Sequence, residues 1–126
     1  MKMDYRQICK NKEISLLIEK GNEILHELGY TEHSRKHAMK VAETAGKILK
    51  ELGYGKRKIE LAKIAGYMHD IGNSINRHDH AQSGAILAYQ ILKELDFSYR
   101  DILVVTTAIG HQTREPGQLW TKYLRP

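Results

Sequence analysis

The segment RKIELAKIAGYMH, Arg57–His69, constrains the fold more than any other stretch of the chain. Ile59, Leu61, Ala62, Ile64, Ala65 and Met68 occupy more than one side of a helix drawn through it. A helix apolar on several faces needs covering on several faces, so the segment predicts a central helix wrapped by the others. It runs directly into His69-Asp70, and Gly72 breaks it. A His followed by an Asp at a helix end offers an imidazole nitrogen and a carboxylate oxygen to one point in space. That donor pair suits divalent Fe, Mn, Zn, Ni or Co. An isolated His-Asp pair is also a common dipeptide, so its meaning depends on what the rest of the chain brings beside it.

The flanking segments supply the wrapping helices. In Glu13–Leu28, Ile14, Leu17, Ile18, Ile24, Leu25 and Leu28 recur at three- and four-residue steps, with Gly29 as the stop. Thr31 is the expected N-cap of a second helix, with Glu32 in its first turn, running to Gly53. Its expected buried stripe is His37, Val41, Ala45, Ile48, Leu49 and Leu52, and the small Ala42, Ala45 and Gly46 would let another helix approach closely. Ile71–Arg77 reads as a polar loop. Asp79 with Gln82 three residues on resembles a capping box opening a helix to Leu95. Asp96 or Ser98 then begins a helix from Tyr99 to about His111. The β-branched run Val104–Thr107 reads as helix, because Ile102, Val105, Thr106 and Ile109 make one face and a lone strand would have no partner. Met1–Lys12 is polar, irregular or a short helix, and Gln112–Pro126 shows no clear period. The expectation is one all-α domain over residues 1–126, a compact bundle of about five main helices.

Composition bounds the function classes. A chain of 126 residues can bury a core without staples. Cys9 is its only cysteine, which excludes an intrachain disulfide and a thiolate zinc site and fits a cytoplasmic location. No apolar run approaches the roughly 18 residues of a membrane span, and the N-terminus lacks the apolar core of a signal peptide. The net charge of +5 is spread along the chain, densest at Lys56-Arg57-Lys58 and again at Arg35, Lys36 and Lys40. Taken singly these residues read as solvated helix faces. Taken together they would attract an anionic substrate such as a nucleotide. No aromatic platform accompanies them, which argues against nucleic acid.

The histidines fall at helix ends and on one inward face. His33 and His37 are four apart and share a helix side, and His37 is in register with Val41 and Ala45. His69-Asp70 ends the central helix, His78 and His80 lie where the next begins, and His111 closes the last. Such ends can converge on one site in a short bundle. His26 reads as an ordinary exposed side chain.

Four segments in this order resemble the HD-domain metal-dependent phosphohydrolases: His37-Ala-Met-Lys-Val-Ala-Glu-Thr-Ala, Ala65-Gly-Tyr-Met-His69-Asp70-Ile-Gly, His80-Ala-Gln-Ser-Gly84-Ala and Ala108-Ile-Gly-His111. The resemblance covers roughly Thr31 to Gln112. It implies a first metal site at His37, His69 and Asp70 and a second at Asp70, His80 and His111, with Asp70 bridging one or two divalent transition metal ions. His33 is the competing first ligand; the residues after His37 fit the family pattern and those after His33 do not. The implied chemistry is hydrolysis of a phosphate ester or anhydride, with His69 and Asp70 as catalytic residues and Arg35, Lys40 or Arg77 holding the phosphate.

The chain departs from the family pattern after His111. The family places a final Asp ligand on a further helix, whereas here Glu115 is the one acidic residue that follows. The first site would then be completed by water, Glu115 or a partner chain, or be weakened, and residues 113–126 form an atypical tail, as in a chain shortened relative to the family. Two further readings follow. One is a metal- or ligand-binding helical module with little or no turnover. The other is an oligomerising interaction protein, a homo-oligomer included, that docks through Trp120, Tyr123 and Leu124 of the tail.

Overall fold

A computed structural model describes residues 2–30 and 34–111, and the architecture is all-α. The helices are α1 (Tyr5–Cys9), α2 (Lys12–Glu27), α3 (Arg35–Glu51), α4 (Lys56–Met68), α5 (His80–Glu94) and α6 (Tyr99–Gly110), with one turn of 3-10 helix at Ile71–Ser74. No strand occurs among the described residues, so the β-branched run of α6 is helical as its periodicity predicts.

Local chemistry sets the ends. The Asp4 carboxylate accepts from Gln7 N at 3.0 Å while Gln7 Oε1 accepts from Asp4 N at 2.9 Å, a capping box that starts α1. Asn11 Oδ1 accepts from Ile14 N at 2.9 Å and starts α2. Ser98, rather than Asp96, starts α6, its hydroxyl accepting from Asp101 N at 3.2 Å. Asp96 instead ends α5 with a left-handed φ of 64°. Gly29 and Gly53 end α2 and α3 the same way, at φ 86° and 84°. In each of the three, the next amide bonds back to the last turn: Tyr30 to Leu25, Tyr54 to Leu49 and Phe97 to Leu92.

Three expectations need correction. Helix α3 starts after Ser34 rather than after Thr31, and its buried face is Ala38, Ala42, Ala45, Gly46 and Leu49. Leu52 is 58% exposed, because the helix turns its smallest residues to its neighbour. The Asp79–Gln82 capping box does not form. Asp79 has a left-handed φ of 62° and makes no side-chain cap bond; its carboxylate lies 3.5 Å from His78 Nε2. The expected polar loop after Asp70 is instead the 3-10 turn, with Ile71, Gly72 and Asn73 buried.

Helix α4 is central, as expected. Leu61, Ala62, Ile64, Ala65, Gly66, Tyr67 and Met68 are buried, and α3, α6 and α1 pack on it. The α3–α4 crossing is close: a Cβ on Gly66 would sit 3.0 Å from Ala42 Cα. The 3-10 turn is wedged between α2 and α5. Here a Cβ on Gly72 would lie 1.9 Å from the His80 carbonyl oxygen and 2.6 Å from Gly84 N. Arg57 is not a solvated charge. Its Nε and Nη2 donate to Asp101 Oδ2 at 3.0 and 2.8 Å, its Nη1 donates to the Met3 carbonyl at 2.9 Å, and it lies over the Phe97 ring. It thereby ties the starts of α4 and α6 to the N-terminal segment.

Gly72→Ala therefore forces backbone apart and costs about 3 kcal/mol, the upper end of ordinary overpacking. Gly55→Ala, whose added Cβ meets nothing, stays within about 1 kcal/mol. Urea unfolding of the two variants against the parent chain measures the difference.

Candidate metal centre

Close helix contacts assemble a site around Asp70. The Gly66–Ala42 approach brings α3, and with it His37, against the end of α4. The Gly72–Gly84 approach brings the first turn of α5, and with it His80, against the residues that follow α4. Asp70 Oδ2 then lies 3.1 Å from His69 Nε2 and 3.8 Å from His37 Nε2, while Oδ1 lies 3.6 Å from His80 Nε2. The two carboxylate oxygens thus face different helices. Asp70 and His69 side chains are only 12% and 14% exposed, whereas His37 is 37% exposed and forms the open side.

The imidazoles are held from behind. His69 Nδ1 is 2.6 Å from the Gly66 carbonyl, His80 Nδ1 is 3.1 Å from the Arg77 carbonyl and His111 Nδ1 is 3.0 Å from the Thr107 carbonyl. A carbonyl only accepts, so each Nδ1 carries its hydrogen and the lone pair of the neutral ring is on Nε2. A carbonyl behind the ring in this way fixes the orientation of a metal-ligating histidine. One nitrogen each from His37 and His69 and one oxygen from Asp70 lie within 4.8 Å of one another, a group that can hold a metal ion. Mixed imidazole and carboxylate donors fit a divalent transition ion.

Electrostatics distinguishes the two buried imidazoles. Burial pulls His69 down, but the hydrogen bond and charge of Asp70 and the Gly66 carbonyl together outweigh it, and His69 holds its proton above the usual histidine range. Burial pulls His80 down, Arg77 and His69 add positive charge, and Asp70 does not compensate, so His80 stays neutral below the usual range.

The remaining candidates are placed differently. His111 caps the C-terminus of α6 and is exposed; it is outside the His37–His69–Asp70 group. Arg35 Nε donates to Tyr67 Oη at 3.0 Å and Nη2 to the Cys9 carbonyl at 2.9 Å, so its guanidinium clamps α3 to α1 and α4. Arg77 lies over the Tyr30 ring, 4.9 Å from its centroid, and donates weakly to Asn73 Oδ1 at 3.4 Å. Arg35, Lys36, His37, Met39, Lys40 and Glu43 line a groove of about 660 Å³ along α3 that opens on the His37 side. His33, Glu115, Trp120, Tyr123 and Leu124 lie outside the described residues. Sequence reasoning passed over Tyr67 as the partner of Arg35 and Gly84 as the seat for Gly72. Gly84 stood within a quoted motif, and only its backbone contact was invisible.

The chain belongs to the HD-domain family, whose family model matches residues 34–125. That places it in a superfamily of metal-dependent phosphohydrolases. Comparison with the curated proteins and with the solved structures gives no match. No helix among the described residues is long and apolar enough to cross a membrane.

A metal must displace the His69 proton, so its affinity falls as pH drops through the raised His69 pKa, by about tenfold per pH unit from this residue alone. Calorimetric titration of Mn²⁺ between pH 8 and pH 6 reads the slope. In Asp70→Asn the carboxylate that raises His69 is gone, and binding is lost across the range.

Proposed function

We propose that the chain is a metal-dependent phosphohydrolase acting on a nucleotide or a related phosphate ester or anhydride. The observation that carries this reading is the carboxylate of Asp70 set between imidazoles on both oxygens, within the matched HD domain. His37, His69 and Asp70 would hold a first divalent ion, and Asp70, His80 and His111 a second. A bound ion supplies Lewis acidity that polarises a phosphoryl oxygen and acidifies water at neutral pH. The protein residues do the rest. Gly66 and Arg77 carbonyls fix the His69 and His80 rings. His80, kept neutral by burial, offers its Nε2 lone pair to a cation beside Asp70. Lys36 and Lys40, on the open groove beside His37, attract the anionic tail, and Arg35 positions α3 more than it binds phosphate, because two of its donor groups are engaged.

A second reading rests on the three donors that the structure groups, His37, His69 and Asp70, which are enough to hold an ion without any turnover. On that reading the chain binds metal and a phosphorylated ligand with little turnover. The interaction reading, with docking through Trp120, Tyr123 and Leu124, concerns residues outside the described set and has no structural observation to favour it.

Purified protein loaded with Mn²⁺ should release phosphate from nucleotides. Asp70→Asn and His69→Ala should lose at least on the order of a hundredfold in kcat/KM, since even removing a supporting partner of a metal ligand costs 10- to 100-fold. Lys40→Ala should raise KM with kcat little changed, the mark of a residue that binds ground state and transition state alike. Stoichiometric metal without hydrolysis of any nucleotide or phosphodiester supports the second reading. Absence of metal binding, with a His69→Ala variant as stable and as inert as the parent, refutes both.

A further inference from the structure

The ring of His80 is held by a tie that begins outside the site. The backbone of His80 is seated against Gly72, but that contact leaves the imidazole free to turn about its own bonds. What fixes the ring is the Arg77 carbonyl, 3.1 Å from His80 Nδ1. With Nδ1 so engaged, Nε2 faces Asp70 Oδ1 at 3.6 Å. Arg77 itself belongs to no helix or strand, and a turn at His78-Asp79 follows it, with Asp79 at a left-handed φ of 62°. The steadiness of its carbonyl therefore depends on what holds its side chain.

The Arg77 guanidinium is held at two points. Its carbon lies over the Tyr30 ring, 4.9 Å from the centroid, and Nη1 donates at 3.4 Å to Oδ1 of the buried Asn73. Both partners are themselves fixed. Tyr30 follows the left-handed Gly29, and its amide bonds back to the Leu25 carbonyl at 2.9 Å, closing α2. Asn73 lies in the 3-10 turn, and its amide donates to the Asp70 carbonyl at 3.0 Å. Gly21 of α2 rests on it, since a Cβ added there would be 3.1 Å from Asn73 Cβ. The end of α2, the turn after Asp70 and the approach to α5 thus meet at Arg77.

We propose that Tyr30 and Arg77 are positioning residues for His80: the Tyr30 ring holds the Arg77 guanidinium, and the Arg77 carbonyl then sets the imidazole with Nε2 on Asp70 Oδ1. This rests on the metal-dependent reading and assigns Arg77 a role within it. Arg77 is thereby removed from the phosphate-holding role that the sequence suggests, because a ring and an amide already engage its guanidinium. Arginine suits the place better than lysine, since a planar guanidinium stacks on a ring face and keeps its edge for hydrogen bonds. A carbonyl behind a ligating histidine sets the direction of its lone pair, so the aim of His80 depends on a tyrosine that is itself 47% exposed.

Tyr30→Leu removes the ring face and leaves every charge in place, so the attraction of a cation to Asp70 is unaltered. Tyr30→Phe keeps the face. The first measurement takes ¹⁵N-edited imidazole spectra of the metal-free full chain at pH 8. In the parent, His80 carries its hydrogen on Nδ1. In Tyr30→Leu it should become a mixture of the two tautomers, and in Tyr30→Phe it should return to the parent form. His69, held by the Gly66 carbonyl within α4, should keep its spectrum in all three and serves as the control. In calorimetric titration with Mn²⁺, Tyr30→Leu should bind the ion at Asp70 and His80 about two- to fivefold more weakly than the parent, the worth of an exposed cation–π contact, with Tyr30→Phe at the parent level. An unmoved His80 tautomer in Tyr30→Leu overturns the proposal, and so does a Tyr30→Phe variant that behaves as Tyr30→Leu. An Arg77→Lys variant that raises KM for a nucleotide while the His80 tautomer stays put gives Arg77 to the phosphate and also overturns it. A parent chain that binds no Mn²⁺, or hydrolyses no nucleotide, fails the metal-dependent reading alone, because the imidazole spectra decide the His80 question without metal or substrate.

Discussion

The contact of Gly72 with the backbone of α5 is the constraint on which the site depends. With His80 O and Gly84 N so near that no Cβ fits, the first turn of α5 rests directly on the residues that follow Asp70. Side-chain packing tolerates some adjustment, since rotamers can shift. Backbone against backbone does not, and its position is correspondingly sharp. Gly66 against Ala42 does the same for α3. The three elements that present His37, His69-Asp70 and His80 are therefore fixed by contacts between small residues, and no chain of side chains intervenes whose errors would add up.

Charge is arranged to leave Asp70 to the imidazoles. The two arginines nearest the core are engaged elsewhere: Arg57 by the buried Asp101 and the Met3 carbonyl, Arg35 by Tyr67 and the Cys9 carbonyl. The first is a structural ion pair between the starts of α4 and α6. Its side chains are 27% and 11% exposed, so solvent screens it little and loss of either partner strands a charge. What faces Asp70 is a set of rings whose charge depends on protonation, and a divalent cation can replace those protons where a fixed guanidinium would block it.

Helix type and order were legible in the sequence because periodicity and stop signals agreed: Gly29 and Gly53 end helices where expected, and the crowded apolar pattern of Arg57–His69 marks the central helix. The HD-domain family was legible too, because four short motifs occur in order. Faces and caps were less so. Helix α3 turns Ala38, Ala42 and Gly46 inward, since close approach to α4 rewards small volume over hydrophobicity, and a stripe drawn through Leu52 misses that. Asp79 has the composition of a capping box, but its left-handed backbone aims the carboxylate at His78 instead. Arg57 and Arg35 looked like surface charge because their partners, Asp101, Tyr67 and two carbonyls, are distant in sequence.

The positions of the histidines have a common physical origin in the ends of helices. An α-helix leaves its last carbonyls without partners and gathers partial negative charge there. His69 and His111 stand at the C-terminal caps of α4 and α6 and donate Nδ1–H to the Gly66 and Thr107 carbonyls. Each ring thereby satisfies a helix end and fixes its own tautomer in one bond, which leaves Nε2 as the ligating nitrogen. Asp70, directly after α4, adds a full negative charge to the same place. A carboxylate at the C-terminus of a helix is unfavourable by itself, and a cation offsets that cost. The N-terminus of α5 meets this point with the opposite partial charge, so negative and positive helix ends converge at Asp70. That polarity suits a bound cation beside a bound anion, the pairing that metal-assisted phosphate chemistry requires.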